Sequence, residues 1–330
     1  MPEEILEPDL PIVDTHHHLW HSRPHALAKR YMLDELAADA ASGHKVAATV
    51  FVECTAFYKP DGPAERRSIG QTEAVNGVAA MAASGVHGDF RACAGIIGHV
   101  DLRLGERVDE VLQAHVAAGG GRFRGVRNIG GYDEDPKVLP HLHGAEPGLY
   151  RREDFGQGVR QLARHGLTFD AWVLEPQLPD VIALARSAPD TTIILDHLGS
   201  PVATGRYEGR REERFPIWRA NMAELARCEN VTVKVGGLGM VFANFPSYLA
   251  EPRATSEKLA AEWRPYVETT LELFGAERCM VASNFPGDLA GGSYATLWNA
   301  FKRLATGCSA DEKGALFSGT AKRVYRLDLP

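Results

Sequence analysis

The sequence predicts a (β/α)8 barrel of the TIM type, with residues 1–330 as one α/β domain. Three observations lead there. Eight short, β-branched apolar runs alternate with longer helix-like segments along 330 residues, the count and length such a barrel requires. Most of the runs are continuously apolar, as strands are when a parallel sheet is covered on both faces. The first run ends in histidines, where a doubly wound open sheet would carry a glycine-rich phosphate turn.

The predicted strands are residues 11–19, 46–54, 91–99, 123–129, 167–174, 191–197, 231–235 and 279–283. A first helix over 33–42 places Leu33, Leu36 and Ala37 on one face. The next, 71–84, is alanine-rich and stops at Gly85, a C-cap glycine. Helices over 108–118, 155–165, 178–187, 218–228, 260–274 and 294–305 follow, and a last one runs from about 310 to 325. Residues 134–152, 199–216 and 244–256 are rich in Gly, Pro or charge and read as long loops covering the mouth of the barrel.

Composition excludes several classes. Lys and Arg number 36 against 43 Asp and Glu, a net charge of −7 spread along the chain, so no basic nucleic-acid surface is expected. No apolar run reaches bilayer length, and residues 1–11 carry acids where a signal peptide would be basic. The five cysteines are scattered without a Cys-x-x-Cys pair, which argues against a disulfide framework or zinc ribbon and for a reduced, cytoplasmic setting. The expected partner is a small-molecule substrate, with no nucleic acid and no membrane. Residues 248–263 offer aromatics for a homo-oligomer contact or a lid.

Barrel chemistry sits at the C-terminal ends of strands. In Asp14-Thr-His-His-His-Leu-Trp20, strand alternation sends His16 and His18 to one side with Asp14 behind them and His17 away. His197 ends the sixth strand. Three neutral imidazoles round one axis suit a divalent ion with an open position for water; equally, they could polarise a substrate directly. Glu53, His99, Asp101, Asn128, Asp170, Glu175, Asp196 and Lys234 also fall on strands or at their ends. Read on the period of two, Arg124 and Arg127 share a face and could hold a substrate carboxylate or an oxyanion. Trp20 and Trp172 stand near strand ends as pocket walls. After the eighth strand comes Asn284, which cannot act as a base, with Asp288 as the acid that could replace it if the loop folds inward.

In these residues the chain resembles the amidohydrolase superfamily, and within it the amidohydrolase 2 group that includes sugar lactonases and pyrone-dicarboxylate lactonase. The first-strand His-x-His, Phe51-Val-Glu-Cys54, Phe123-Arg-Gly-Val-Arg127, Leu195-Asp-His-Leu-Gly199 and Ser283-Asn-Phe-Pro286 match the group's patterns in order. The resemblance implies hydrolysis, with a lactone as the leading substrate. Water would attack a polarised carbonyl near His16, His18 and His197, with Asp288 as the acidic group. Trp20, Glu53, Arg124, Arg127, Trp172 and Asn284 would contact substrate. It further implies one divalent metal, zinc by expectation, on His16, His18 and His197, although some lactonases of the group work without metal. Many members have Asp where Asn284 stands. The alternatives are a zinc-dependent non-oxidative decarboxylase, which wants an acidic ligand at that position, and a catalytically impaired binding scaffold.

Overall fold

The computed structural model describes residues 3–140 and 145–329. Eight parallel strands follow one another round a single sheet in chain order: β1 (Ile12–His17), β2 (Val46–Val52), β3 (Arg91–Gly98), β4 (Phe123–Ile129), β5 (Thr168–Trp172), β6 (Ile193–Leu195), β7 (Val231–Val235) and β8 (Cys279–Val281). The helices α1 (Leu33–Ala40), α2 (Ile69–Met81), α3 (Asp109–Ala118), α4 (Glu153–Arg164), α5 (Leu178–Ser187), α6 (Arg211–Leu225) and α7 (Ser256–Phe274) each return the chain to the start of the next strand, and α8 (Tyr294–Leu304) follows β8. After α8 come α9 (Ala310–Gly314), a π-helical turn, and α10 (Thr320–Val324). Among the described residues no helix is long and apolar enough to cross a membrane.

Apolar side chains on alternate strand positions build two cores. Val13, Ala48, Val50, Val52, Ile97, Ile194 and Met280 fill the inside of the barrel, joined from below by Ala321, Tyr325 and Leu327. The larger core lies between sheet and helices. Closure of the barrel is made largely by side chains. Beyond β8, the Phe285 carbonyl accepts from the His18 N–H at 2.8 Å. Asp14 accepts from the Ser283 N–H at 2.9 Å, the Ser283 hydroxyl at 2.6 Å and the Tyr294 hydroxyl of α8 at 3.0 Å.

That corrects the first strand. Its pairing with β2 slips between Asp14 and His17, and an extra residue in a strand breaks the period of two. Asp14 therefore bonds toward α8 while His16 faces the interior. Two helices also start earlier than predicted. α6 begins at Arg211, seven residues before the predicted start, and contains Pro216; a proline usually breaks a helix, which is why the sequence predicts a start after it. α7 begins at Ser256 behind the Thr255 cap, whose hydroxyl accepts from the Lys258 N–H.

The loops expected at residues 134–152 and 199–216 meet each other. Asp135 accepts from the Arg206 N–H at 2.8 Å, and Asp133, just before the first loop, accepts from the Arg206 side chain and the Tyr207 hydroxyl at 2.9 Å each; residues 141–144 lie outside the described residues. Trp263, at the end of the expected oligomer contact, is buried against Phe301 of α8.

Candidate active site

β1, β6 and β8 deliver the site. The His16 ring centroid lies 4.9 Å from that of His18 and 4.4 Å from that of His197. His16 and His197 are buried, while His18 is partly open to the mouth. Nδ1 of His18 stands 2.8 Å from the Val52 carbonyl. A carbonyl only accepts, so the His18 proton is on Nδ1 and the Nε2 lone pair is free.

His197 begins a run of left-handed backbone: φ is 55° at His197, 56° at Leu198, 70° at Gly199 and 45° at Ser200. Such conformations cost about 1–3 kcal/mol for residues with a Cβ and gather at functional sites. The run is held by the Trp218 indole N–H donating to the Leu198 carbonyl at 2.8 Å. It also needs Gly237, where a Cβ would stand 2.2 Å from Cγ of His197. Asn284, after β8, is left-handed too, at φ 52°.

His16 is flanked by two cations. Arg127 Nη1 lies 3.3 Å from its Nε2, and Lys234 Nζ lies 3.3 Å from its Nδ1. Arg127 is fixed from β2: its Nε donates to Glu53 Oε1 at 3.1 Å and its second amino group to the Glu53 carbonyl. Asp196 sits between the cations, with Oδ2 3.6 Å from Arg127, Oδ1 3.2 Å from Lys234 and Oδ1 3.4 Å from His16 Nδ1. Burial alone would raise the Asp196 pKa, but Lys234 and His16 hold it well below the usual carboxylate value. Burial pushes the other way on the imidazoles. His16 and His18 titrate well below 6.5, with Lys234 and Arg127 respectively adding to the effect, and His197 falls to about 3. All three rings are neutral at pH 7.

Asp288 does fold inward. It accepts from the Asn284 amide at 2.7 Å and the Gly239 N–H at 3.0 Å, and burial against those bonds lifts its pKa to about 7. Trp20 stacks near His18 at 6.4 Å and carries the Arg23 guanidinium 4.5 Å above its ring. Trp172 packs on Phe242 at 5.7 Å. Near the mouth, Tyr58 stacks on His99 at 6.4 Å, and the His99 Nδ1 accepts from the Asn128 amide at 3.1 Å.

Most of the expected residues thus converge: His16, His18, His197, Glu53, Arg127 and the Asn284–Asp288 pair. Arg124 does not. It lies three residues from Arg127, hence on the opposite face, at the start of β4, where the charges of Arg326 and Arg122 add to a pKa lowered mainly by burial. That is the far rim of the barrel. His17 turns into the sheet–helix layer as expected, 2.8 Å from the Thr49 hydroxyl. The sequence reading noted Asp196 and Lys234 at strand ends but gave them no role; a charge in a strongly apolar strand was the available signal. Tyr325 and Arg23 carried no such signal.

The donor set does not fit the expected metal. Both ring nitrogens of His16 face a cation at hydrogen-bonding distance. Among the described residues no three His, Cys, Asp or Glu side chains are placed to hold an ion together.

The amidohydrolase family model matches residues 13–327. This chain belongs to that family. The uncharacterised protein y4mH of Sinorhizobium fredii is 33% identical over 97% of this chain and 99% of its own length. The L-fucono-1,5-lactonase of Burkholderia multivorans is 30% identical over 73% of this amidohydrolase and 74% of its own length. An amidohydrolase from Burkholderia multivorans, solved with bound zinc, superposes with a TM-score of 0.73 at 25% identity, covering 97% of this chain and 99% of that one.

Proposed function

We propose that this amidohydrolase is a lactonase acting on a neutral, polyhydroxylated lactone of the sugar-acid type. The charge balance of the site carries the reading. Its two buried cations, Arg127 and Lys234, are already countered by Glu53, Asp170 and Asp196, which leaves neither free for a substrate carboxylate. Among the described residues Glu53 Oε2, Asn128 Oδ1 and the Tyr58 hydroxyl are buried without partners, and buried polar groups of that kind suit substrate hydroxyls. The fuconolactonase relative acts on a compound of this class.

In this reading the lactone carbonyl oxygen lies against Arg127, and the free Nε2 of His18 accepts from a substrate hydroxyl. As negative charge grows on that oxygen, Arg127 shifts its Nη1 donation from His16 Nε2 to the oxyanion. The freed Nε2 takes the proton of the attacking water, while Asp196 accepts from Nδ1–H. Collapse of the tetrahedral intermediate breaks the ring C–O bond. His16 returns the proton to the leaving oxygen, and the product is a hydroxy acid. Asp288 holds Asn284 in place. A decarboxylase would want an acidic group where Asn284 stands.

A pH-indicator screen over aldonolactones and aromatic lactones tests the reading. Proton release on an aldonolactone, undiminished after exhaustive chelation, is expected. Carbon dioxide release from an aromatic acid, or turnover abolished by the chelator and restored by zinc, would overturn it.

A further inference from the structure

The floor beneath His16 holds a lysine that the reaction scheme above does not use. Lys234 of β7 is wholly buried. Its ammonium donates to Asp170 Oδ2 at 2.5 Å and lies 3.2 Å from Asp196 Oδ1 and 3.3 Å from His16 Nδ1. Asp170 is fixed from below, where the Tyr325 hydroxyl donates to the same Oδ2 at 3.1 Å. A buried ammonium is costly to desolvate and persists only when paired; one carboxylate would neutralise it, and here it has two.

The second carboxylate decides what His16 can do. A neutral imidazole has one N–H and one lone pair, yet donors approach both of its nitrogens. Arg127 is pinned to Glu53 by two bonds, so it keeps its aim at Nε2. The ring proton must then be on Nδ1, and the acceptor beside Nδ1 is Asp196. Asp196 has no other hydrogen-bond donor placed to orient it: both its oxygens are buried without a hydrogen bond of good geometry, and its position rests on the ion pairs with Lys234 and Arg127. While Arg127 Nη1 donates to the substrate oxygen, Lys234, at 3.2 Å against 3.6 Å, is the nearer cation keeping Asp196 in place.

We propose that Lys234 is a positioning residue for His16: anchored on Asp170, its ammonium holds Asp196 against Nδ1, so that the ring keeps its proton there and presents Nε2 toward Arg127. The catalytic part of this rests on the lactonase reading; the tautomer does not. Orienting partners of this kind typically contribute ten- to a hundredfold, and more where the wrong tautomer results.

Lys234→Met alone leaves buried Asp170 without a counter-charge and Asp196 with Arg127 as its one cation, and is expected to fold poorly. The pair Lys234→Met with Asp170→Asn removes one charge of each sign and is the informative variant. Nitrogen-15 spectra of histidine-labelled protein, with His16 assigned by its loss in His16→Gln, read the tautomer directly. The wild type should show a protonated Nδ1 and an unprotonated Nε2. The double variant should melt within a few degrees of wild type, lose that single pattern, and drop kcat by about 100-fold with KM within about threefold. A folded double variant with the wild-type His16 spectrum, or with wild-type kcat, overturns the proposal and makes Lys234 a packing residue. Should the wild type open no lactone, the functional reading fails by itself, and the spectra still decide the placement of His16.

Discussion

His197 occupies a backbone conformation that few histidines adopt, and one hydrogen atom on a neighbour makes room for it. Gly237, itself at φ +72°, is packed so closely that a methyl group would meet the imidazole Cγ at 2.2 Å. Gly237→Ala should therefore expel the His197 ring, costing at least about 2 kcal/mol of stability. Lactone turnover should fall at least 100-fold, close to the loss from His197→Ala or His18→Ala. Steady-state kinetics with a thermal melt checks this, and near-normal turnover by all three variants would show the site to be wrongly placed. Histidines after apolar runs made this residue set legible in the sequence. The arginines were read less well: three residues of separation puts Arg124 and Arg127 on opposite faces, and only the counting of register, not residue type, separates them. Asp288 was legible as an acid near Asn284, while its bond to that amide depends on a turn the sequence does not spell.

At the scale of elements, Asp14 stitches β1 to β8 and to α8. Its carboxylate takes two donors from Ser283 and one from Tyr294, all buried. Asp14→Ala would strand those donors, and each buried unsatisfied donor costs about 1–3 kcal/mol. The expected loss is about 3 kcal/mol or more in urea denaturation. Ser283→Ala, which removes one donor and leaves the backbone bond, should cost about 1–2 kcal/mol. Equal losses would mean that the hydroxyl carries the seam. Most strands and helices were readable because long apolar runs and capping glycines repeat across the chain. The slip inside β1 was not, since a single extra residue leaves the apolar pattern unchanged while turning Asp14 from the pocket to the helix layer. Pro216 likewise hid the first turn of α6.

Over the whole molecule, buried histidines set the response to acid. His16 and His18 are held well below 6.5 by burial, His17 and His197 at about 3, and His44 and His115 at about 4. Unfolded histidines titrate near 6.5, so below that pH the unfolded chain binds more protons. Stability then falls as pH drops, by about 1.4 kcal/mol per unit for each such group. Asp14, raised to about 6, Asp288, raised to about 7, and Asp170, Asp39 and Glu175, raised by burial, act oppositely: they favour the folded state at low pH and lose that contribution as pH rises through their folded-state values. Six histidines outweigh these five carboxylates between pH 6.5 and pH 4.5. The urea midpoint should fall steeply between pH 6.5 and pH 4.5, and a flat or rising midpoint would refute this balance.

Tyr325 gives the fold an order in time. Its hydroxyl meets Asp170 across 155 residues of chain, and its ring closes the inner core together with Ala321 and Leu327. A ribosome adding about 5–20 residues per second needs roughly 8–30 s to travel from one partner to the other. For that interval Asp170, and later Lys234, exist without their floor. The nascent barrel must wait, unsealed, in the hands of whatever shields apolar surface at the ribosome exit, and its inner core is first closed only when the segment bearing Tyr325 emerges.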